Sequence, residues 1–221
     1  MTAWAPLGPH FPTGRASPLV VRRDPDAAPT AAVLLLHGGR SLGTRPPPLI
    51  NLPALRMRPF ASAVAKKLGG RAVVVSEVRY RHRGWNGDRC DPVEDTRSAL
   101  HALRDHAGAV PVVLIGHSMG GRAALRAGGA PMVRGVIALA PWLPAGEPVA
   151  HLAGQKIYVL HDPADRITVA RDSWNFVQRA AAAGADAVVV PMAAGGHAML
   201  RSASAWHSRV ARFTADLLGD A

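Results

Sequence analysis

The chain has 221 residues, of which 48% are hydrophobic and 19% are charged, so it can bury a substantial core and we expect one domain. No apolar run approaches the roughly 20 residues that a membrane helix needs, and the single cysteine, Cys90, excludes an internal disulfide. The formal net charge of +11 comes mostly from scattered arginines, which indicates a compositional bias more than an anionic partner, and we find no nucleic-acid-binding module.

The first 18 residues contain four prolines and no apolar stretch like that of a signal peptide. We therefore expect an irregular N-terminal arm over residues 1–18, no signal peptide, no membrane association and a cytoplasmic protein. The short apolar run Leu19–Val21 follows and could be an edge strand.

Apolar runs and helical stretches then alternate along the chain. Continuous apolar runs are typical of strands that are buried on both faces of a parallel sheet. Such runs occupy residues 32–36, 71–75, 111–115, 136–140, 157–160 and 187–190. Helices are predicted over residues 60–68, 91–107, 122–127 and 168–183, and around 206–217. The alternation predicts an α/β fold whose mainly parallel sheet has helices on both faces.

The most informative segment is the run GHSMG at residues 116–120, which lies between an apolar run and a predicted helix. In the pattern G-x-S-x-G, the serine occupies a strained strand-to-helix turn, and its hydroxyl stands clear of the sheet. The turn leaves no room for side chains at Gly116 and Gly120. Ser118 is also expected to cap the following helix, whose first amides can face a developing negative charge.

Other polar residues follow predicted strands. His37, Asp162, Asp165 and His197 all come directly or closely after an apolar run. In parallel sheets, binding and catalytic residues are found beyond the carboxyl ends of the strands. We therefore expect these side chains to lie near Ser118.

With these segments, the chain resembles the α/β-hydrolase family over roughly residues 30–218. The resemblance rests on residues 37–39, 116–120, 162–166 and 196–197, with serine, aspartate and histidine in the family's order. It implies a mostly parallel sheet of about seven or eight strands, and hydrolysis through an acyl-enzyme. The short segment between Trp142 and Gly154 differs from members that insert a helical lid there. A single domain over residues 1–221 without a sizeable cap, similar to small lidless serine esterases and lipases, is the expectation.

The resemblance implies a catalytic triad. Ser118 would be the nucleophile and His197 the general base, while Asp165 would orient the imidazole. Asp162 is a rival for the acid, although its position is more typical of a turn residue. The alternative for Ser118 is a serine kept only as a helix cap in a non-catalytic homologue. His117 is expected to point away into the packing of the sheet.

Two backbone amides should form an oxyanion hole. Met119, directly after the nucleophile, would supply one amide. The other should come from the loop after His37, with Gly39 as the first choice and Arg40 as the second. Because His37–Arg40 is one glycine short of the H-G-G-G form, the second donor is the weaker assignment.

Several side chains are candidates for contacting substrate. Arg40, Trp85, Trp142 and Met199 are expected near the mouth of the site. Arg79, Arg81 and Arg83 alternate beyond a strand and, if extended, would point the same way. They could hold an anionic part of the substrate, such as a carboxylate or a phosphate; the alternative is a solvated basic loop.

The sequence contains no H-E-x-x-H, no Cys/His cluster and no nucleotide-binding glycine loop, so we expect no metal and no cofactor. The leading interpretation is a hydrolase that cleaves a small-molecule ester or thioester. A thioesterase or a small peptidase remains open within the same class. From other classes, the alternatives are a non-catalytic ligand-binding protein and a basic nucleic-acid-associated protein.

Overall fold

The computed structural model describes residues 17–219, so most of the expected N-terminal arm lies outside the described residues. Within this range, seven strands form one sheet in the order β1-β3-β2-β4-β5-β6-β7. Only β1, at one edge, runs antiparallel to its neighbour. The strands are β1 Leu19–Arg23, β2 Ala31–Leu36, β3 Val73–Val78, β4 Val112–His117, β5 Val133–Leu139, β6 Lys156–His161 and β7 Asp186–Pro191. This arrangement confirms the predicted fold class.

Five helices cover the two faces of the sheet in the described part of the chain. They are α1 Leu52–Leu68, α2 Asp91–Ala107, α3 Met119–Ala127, α4 Ala170–Ala182 and α5 Ala203–Leu218. Successive residues of β2 alternate between the faces: Leu34 packs in the cluster with α2, α3 and α4, and Leu35 packs with α1 and α5. None of the helices within residues 17–219 has the length and apolar character needed to cross a bilayer.

Helix α1 begins eight residues before the predicted start at Phe60. The prolines at 53 and 59 led to the prediction of a loop, but both lie within the helix. Pro53 is in the first turn, where the backbone amides have no intrahelical acceptor in any case. Pro59 is tolerated inside the helix, which is anchored by the buried side chains of Met57 and Phe60.

The segment between β5 and β6 is short. Its regular structure is one 3₁₀ turn, Ala150–Leu152. Glu147 is buried here and binds the guanidinium groups of Arg122 and Arg126, both on α3. Its carbonyl oxygen also accepts a hydrogen bond of 2.7 Å from Arg179 on α4. The segment is therefore tied to two helices, and no helical lid is inserted between Trp142 and Gly154.

Candidate active site

The turn between β4 and α3 has the strained geometry expected for the GHSMG run. Ser118 has φ 55° and ψ −118°. A Cβ on Gly116 would lie 2.2 Å from the carbonyl oxygen of Gly120, and one on Gly120 would lie 2.4 Å from the carbonyl oxygen of Leu36. Both distances are far inside van der Waals contact, so only glycine fits at the two positions. The turn lifts the Ser118 side chain above the end of β4.

The Ser118 hydroxyl faces His197. Its Oγ lies 3.0 Å from Nε2 of the imidazole. The expectation that Ser118 also caps α3 through its side chain is wrong, because no such hydrogen bond is made. The carbonyl oxygen of Ser118 instead accepts from the amide of Arg122 at 3.1 Å, which leaves the hydroxyl available to the imidazole.

The loop after β7 carries His197 and is fixed at two points. Asp162 Oδ2 accepts a hydrogen bond of 2.8 Å from the Gly196 amide. His117 Nε2 lies 2.9 Å from the carbonyl oxygen of His197 and donates to it. The rival acid Asp162 therefore binds the backbone of this loop, and the imidazole of His197 faces a different carboxylate.

That carboxylate belongs to Asp165, whose Oδ2 accepts from His197 Nδ1 at 2.9 Å. The same oxygen accepts from the Thr168 hydroxyl at 2.8 Å, while Oδ1 accepts from the Ile167 amide at 2.7 Å. Burial alone would raise the pKa of Asp165, but the hydrogen bonds from Ile167, His197 and Thr168 outweigh it and hold that pKa below its ordinary value. Asp165 is thus ionised near neutral pH.

A second histidine shares the Asp165 carboxylate. His161, at the end of β6, is fully buried, and its Nε2 lies 3.2 Å from Asp165 Oδ2. Its Nδ1 lies 2.8 Å from the Ser173 hydroxyl. Burial lowers the pKa of His161, so the ring is neutral and donates through Nε2.

No role for His161 or Thr168 is predicted from the sequence. The available signal was the spacing of His161, four residues before the acid at the end of a strand. The approach of Thr168 depends on how the loop after Asp165 turns, which no local pattern reports.

The prediction that His117 points away into the packing of the sheet is wrong. It is buried against the His197 loop, and its ring centroid lies 4.8 Å from that of His197. Burial and the neighbouring His197 lower the pKa of His117 to about 3. The ring is therefore neutral and holds the His197 loop through a single donated hydrogen bond.

The predicted oxyanion-hole residues lie beside Ser118. Met119 is the first residue of α3, so its amide has no intrahelical acceptor. A Cβ on Gly39 would lie 2.4 Å from Cε of Met119, and a Cβ on Gly38 would lie 3.4 Å from Cβ of Ser118. The amide of Arg40, the second choice, already donates to the carbonyl oxygen of Arg83 at 2.9 Å. Gly39 is thus the better candidate.

The four predicted substrate contacts are placed differently. Trp85 and Met199 are each only 2% exposed, so as placed they offer no surface to a substrate. The ring of Trp85 packs 3.8 Å from the guanidinium carbon of Arg122, which is also 4.7 Å from the ring of Trp142. Trp142 is partly exposed, and Arg40 lines a cavity beside Gly39. The apolar residue type of Trp85 and Met199 does not by itself show whether these side chains lie in the core or at the mouth of the site.

No group of three or more histidine, cysteine, aspartate or glutamate side chains within residues 17–219 is arranged to hold a metal ion. The polar side chains around Ser118 are instead joined to one another by hydrogen bonds. The arrangement provides a hydroxyl, a base that can take its proton, and an ionised acid that orients the base.

A sequence profile described as the alpha/beta hydrolase family matches residues 33–157. The chain belongs to the α/β hydrolase family. The matched segment includes the Gly39 loop and Ser118 and ends before Asp165 and His197. The search of curated proteins found no match to this α/β hydrolase.

Several solved structures are similar to this α/β hydrolase. Est1E from Butyrivibrio proteoclasticus, solved with ferulic acid, is 12% identical over 90% of this chain and 95% of its own, with a TM-score of 0.64. A serine hydrolase without a lid from Xanthomonas campestris is 19% identical over 92% and 88%, with a TM-score of 0.62. A thermophilic esterase from Thermogutta terrifontis, solved with propionate, is 19% identical over 90% and 88%, with a TM-score of 0.64. At these identities, the similarity establishes the fold.

Proposed function

We propose that this α/β hydrolase cleaves carboxylic esters through an acyl-enzyme intermediate. The observation that carries the proposal is the continuous chain of contacts from Ser118 Oγ to His197 Nε2 at 3.0 Å and from His197 Nδ1 to Asp165 Oδ2 at 2.9 Å. A serine hydroxyl is a weak nucleophile at neutral pH and needs such a base within hydrogen-bond reach. The esterases among the similar structures support the choice of substrate class.

In this mechanism, Ser118 Oγ attacks the ester carbonyl carbon as His197 Nε2 takes the hydroxyl proton. The carbonyl oxygen becomes an oxyanion, which the amides of Met119 and Gly39 would stabilise. The bond from the carbonyl carbon to the alcohol oxygen then breaks, and His197 returns the proton to the departing alcohol. A water molecule, deprotonated by His197, hydrolyses the acyl-enzyme by the same route. Asp165 stays ionised and stabilises the imidazolium.

The segment that forms a helical lid in some family members is short here, which favours small ester substrates. The segment between Trp142 and Gly154 holds one 3₁₀ turn in place of a helical lid. Exposed apolar side chains lie nearby: Ile50 and Leu52 line the cavity beside Gly39, and Ile167 follows Asp165 by two residues. An ester with a short or medium acyl chain can contact such a surface without an opening step.

Fluorophosphonate labelling tests this proposal. Wild-type protein should gain one label on Ser118, and the label should be absent in Ser118→Ala and strongly reduced in His197→Ala. Ser208→Ala is the matched control, because Ser208 is exposed on α5, and it should label like wild type. A panel of p-nitrophenyl esters and acyl thioesters then identifies the preferred bond. A folded protein that neither labels nor turns over any ester would contradict the proposal and favour a ligand-binding role.

A further inference from the structure

A cavity of about 280 Å³ opens beside Gly39, the candidate oxyanion donor. Two arginines, Arg40 and Arg83, line it together with Pro48, Ile50 and Leu52. The lining of this arginine cavity therefore combines cationic and apolar side chains, together with the polar side chains of His37 and Asn51. Because Gly39 also lies against Met119, the cavity adjoins the place where the reacting carbonyl would bind.

The two arginines come from separate loops that backbone hydrogen bonds join. The Arg40 amide donates to the Arg83 carbonyl oxygen at 2.9 Å, and the Trp85 amide donates to the Arg40 carbonyl oxygen at 2.9 Å. The Gly84 amide donates to the Gly43 carbonyl oxygen at 3.0 Å. Asn86 adds a side-chain link, because its Oδ1 accepts from the Gly43 amide at 2.8 Å. The backbones that carry the guanidinium groups are thus fixed before any ligand binds.

The charges of Arg40 and Arg83 are not balanced within residues 17–219. No carboxylate in this range forms an ion pair with either guanidinium group, and none lines the cavity. In contrast, Arg81 binds the buried carboxylate of Asp95. The hypothesis that Arg79, Arg81 and Arg83 hold an anionic group together is not supported, because Arg81 is paired with the buried carboxylate of Asp95.

Arg83 also carries a buried donor without an acceptor. Its Nε has no hydrogen-bond partner in the described part of the chain. Leaving a buried charged donor unpaired costs free energy, and no group in the described part of the chain offsets that cost. The planar guanidinium matches a carboxylate, which can accept two parallel hydrogen bonds from it.

We propose that the arginine cavity binds a free carboxylate carried by the ester substrate, so that the preferred substrates are anionic esters. The carboxylate would pair with Arg83 and Arg40, while Pro48, Ile50 and Leu52 contact the hydrocarbon between the carboxylate and the ester. This inference rests on the proposed esterase function for the position of the reacting bond. The carboxylate is carried by either the acyl half or the alcohol half of the ester, and the test below distinguishes the two.

The test compares matched esters. On the acyl side, mono-p-nitrophenyl adipate is compared with p-nitrophenyl hexanoate, which has the same number of acyl carbons and no charge. On the alcohol side, the butanoyl ester of p-hydroxybenzoate is compared with phenyl butanoate. One of the anionic esters should have a higher kcat/KM than its neutral match, and the side on which this happens identifies the half that enters the cavity. The preference should weaken as salt concentration rises.

Variants assign the preference to the cavity. Arg83→Met and Arg40→Met should each lower the anionic-to-neutral ratio of kcat/KM by roughly tenfold, since each removes a charge-assisted hydrogen bond. Arg45→Met is the matched control, because Arg45 is an exposed arginine of the same loop that does not line the cavity. It should leave the ratio unchanged. Equal rates for charged and neutral esters, or an equal loss in Arg45→Met, would overturn the inference and leave the esterase proposal intact.

A binding measurement covers the case in which no ester is hydrolysed. Ser118→Ala is titrated calorimetrically with monomethyl adipate and with methyl hexanoate. Binding of the anionic ester alone, lost in Ser118→Ala/Arg83→Met, would support the cavity even if the esterase proposal fails. The same titration with the butanoyl ester of p-hydroxybenzoate and with phenyl butanoate covers a carboxylate on the alcohol half, and equal binding within both pairs, or no binding in either pair, would overturn the inference.

Discussion

At the scale of single residues, two aspartates three positions apart have different hydrogen-bond partners. Asp165 accepts from the imidazole of His197, and Asp162 accepts from the amide of Gly196 one residue earlier. One carboxylate therefore contacts the imidazole of His197, and the other contacts the loop that carries it. Their variants should differ in size of effect.

We expect Asp165→Asn to lower kcat by about 10³–10⁴-fold, because the imidazole would lose the carboxylate that fixes its tautomer. Asp162→Asn should lower kcat far less, by roughly tenfold, since the asparagine keeps one carbonyl oxygen for the two backbone amides, of Ala164 and Gly196, that Asp162 now accepts from. Steady-state kinetics on a p-nitrophenyl ester measure both. The opposite ranking would make Asp162 the catalytic acid and contradict the assignment.

His161 is expected to act as a positioning residue through Asp165. His161→Ala removes one donor from the carboxylate, so kcat should fall by roughly tenfold with little change in KM. A carboxylate that has lost this donor should stabilise the imidazolium form of His197 more strongly, which should move the acidic limb of the kcat profile to higher pH.

A glutamine at position 161 can still donate a hydrogen bond, so His161→Gln should restore part of kcat and of the pH profile. His101→Ala is the control, because His101 is exposed on α2. If His161→Ala lowers stability but leaves the pH profile of the remaining activity unmoved, the role of His161 is structural only.

At the scale of elements, the turn between β4 and α3 depends on glycine. Gly116→Ala would place a Cβ 2.2 Å from the Gly120 carbonyl oxygen, which is backbone and cannot move aside easily. We expect the free energy of unfolding to fall by at least about 2 kcal/mol. Gly70→Ala is the matched control, since a Cβ there meets no atom within 4 Å and the residue does not have positive φ. Chemical denaturation measures both, and equal stability of the two variants would contradict the steric argument.

The central strands β2 to β5 were predictable because each contains a continuous apolar run, a local property that burial on both faces imposes. The start of α1 was not predictable, because Pro53 and Pro59 oppose a helix locally and are compensated by packing of Met57 and Phe60. At the site, Ser118, Asp165 and His197 could be predicted from the sequence because they follow the family's order of serine, aspartate and histidine. The contact of Thr168 with Asp165 was not predictable, because it depends on how the loop between the two residues turns. The burial of Trp85 was not predictable, because it depends on packing against Arg122, which is distant in sequence.

At the scale of the whole molecule, buried neutral histidines make stability depend on pH. The pKa of His117 is lowered to about 3, mainly by burial, against about 6.5 in an unfolded chain. Between these values, the unfolded chain binds a proton that the folded protein does not. The stabilisation is therefore complete above about pH 6.5 and is lost as pH falls, by about 1.4 kcal/mol per unit for this group. Burial lowers the pKa values of His161 and His37 in the same direction.

We expect wild-type protein to lose at least about 2 kcal/mol of unfolding free energy between about pH 6.5 and about pH 5. His117→Asn cannot take up this proton, so its stability should fall less steeply over the same range, whatever its stability at neutral pH. Urea unfolding at both pH values gives the two slopes. Parallel slopes would mean that His117 is charged in the folded protein or is exposed in it.

The anchoring of Glu147 to Arg122 and Arg126 on α3, and to Arg179 on α4, has a kinetic consequence. Because the segment that carries Glu147 is bound to both α3 and α4, we expect it to keep the same conformation when a substrate binds next to Trp142. We therefore expect substrates to be selected by their fit to a preformed entrance, and we expect no closing motion of this segment that a higher solvent viscosity could slow.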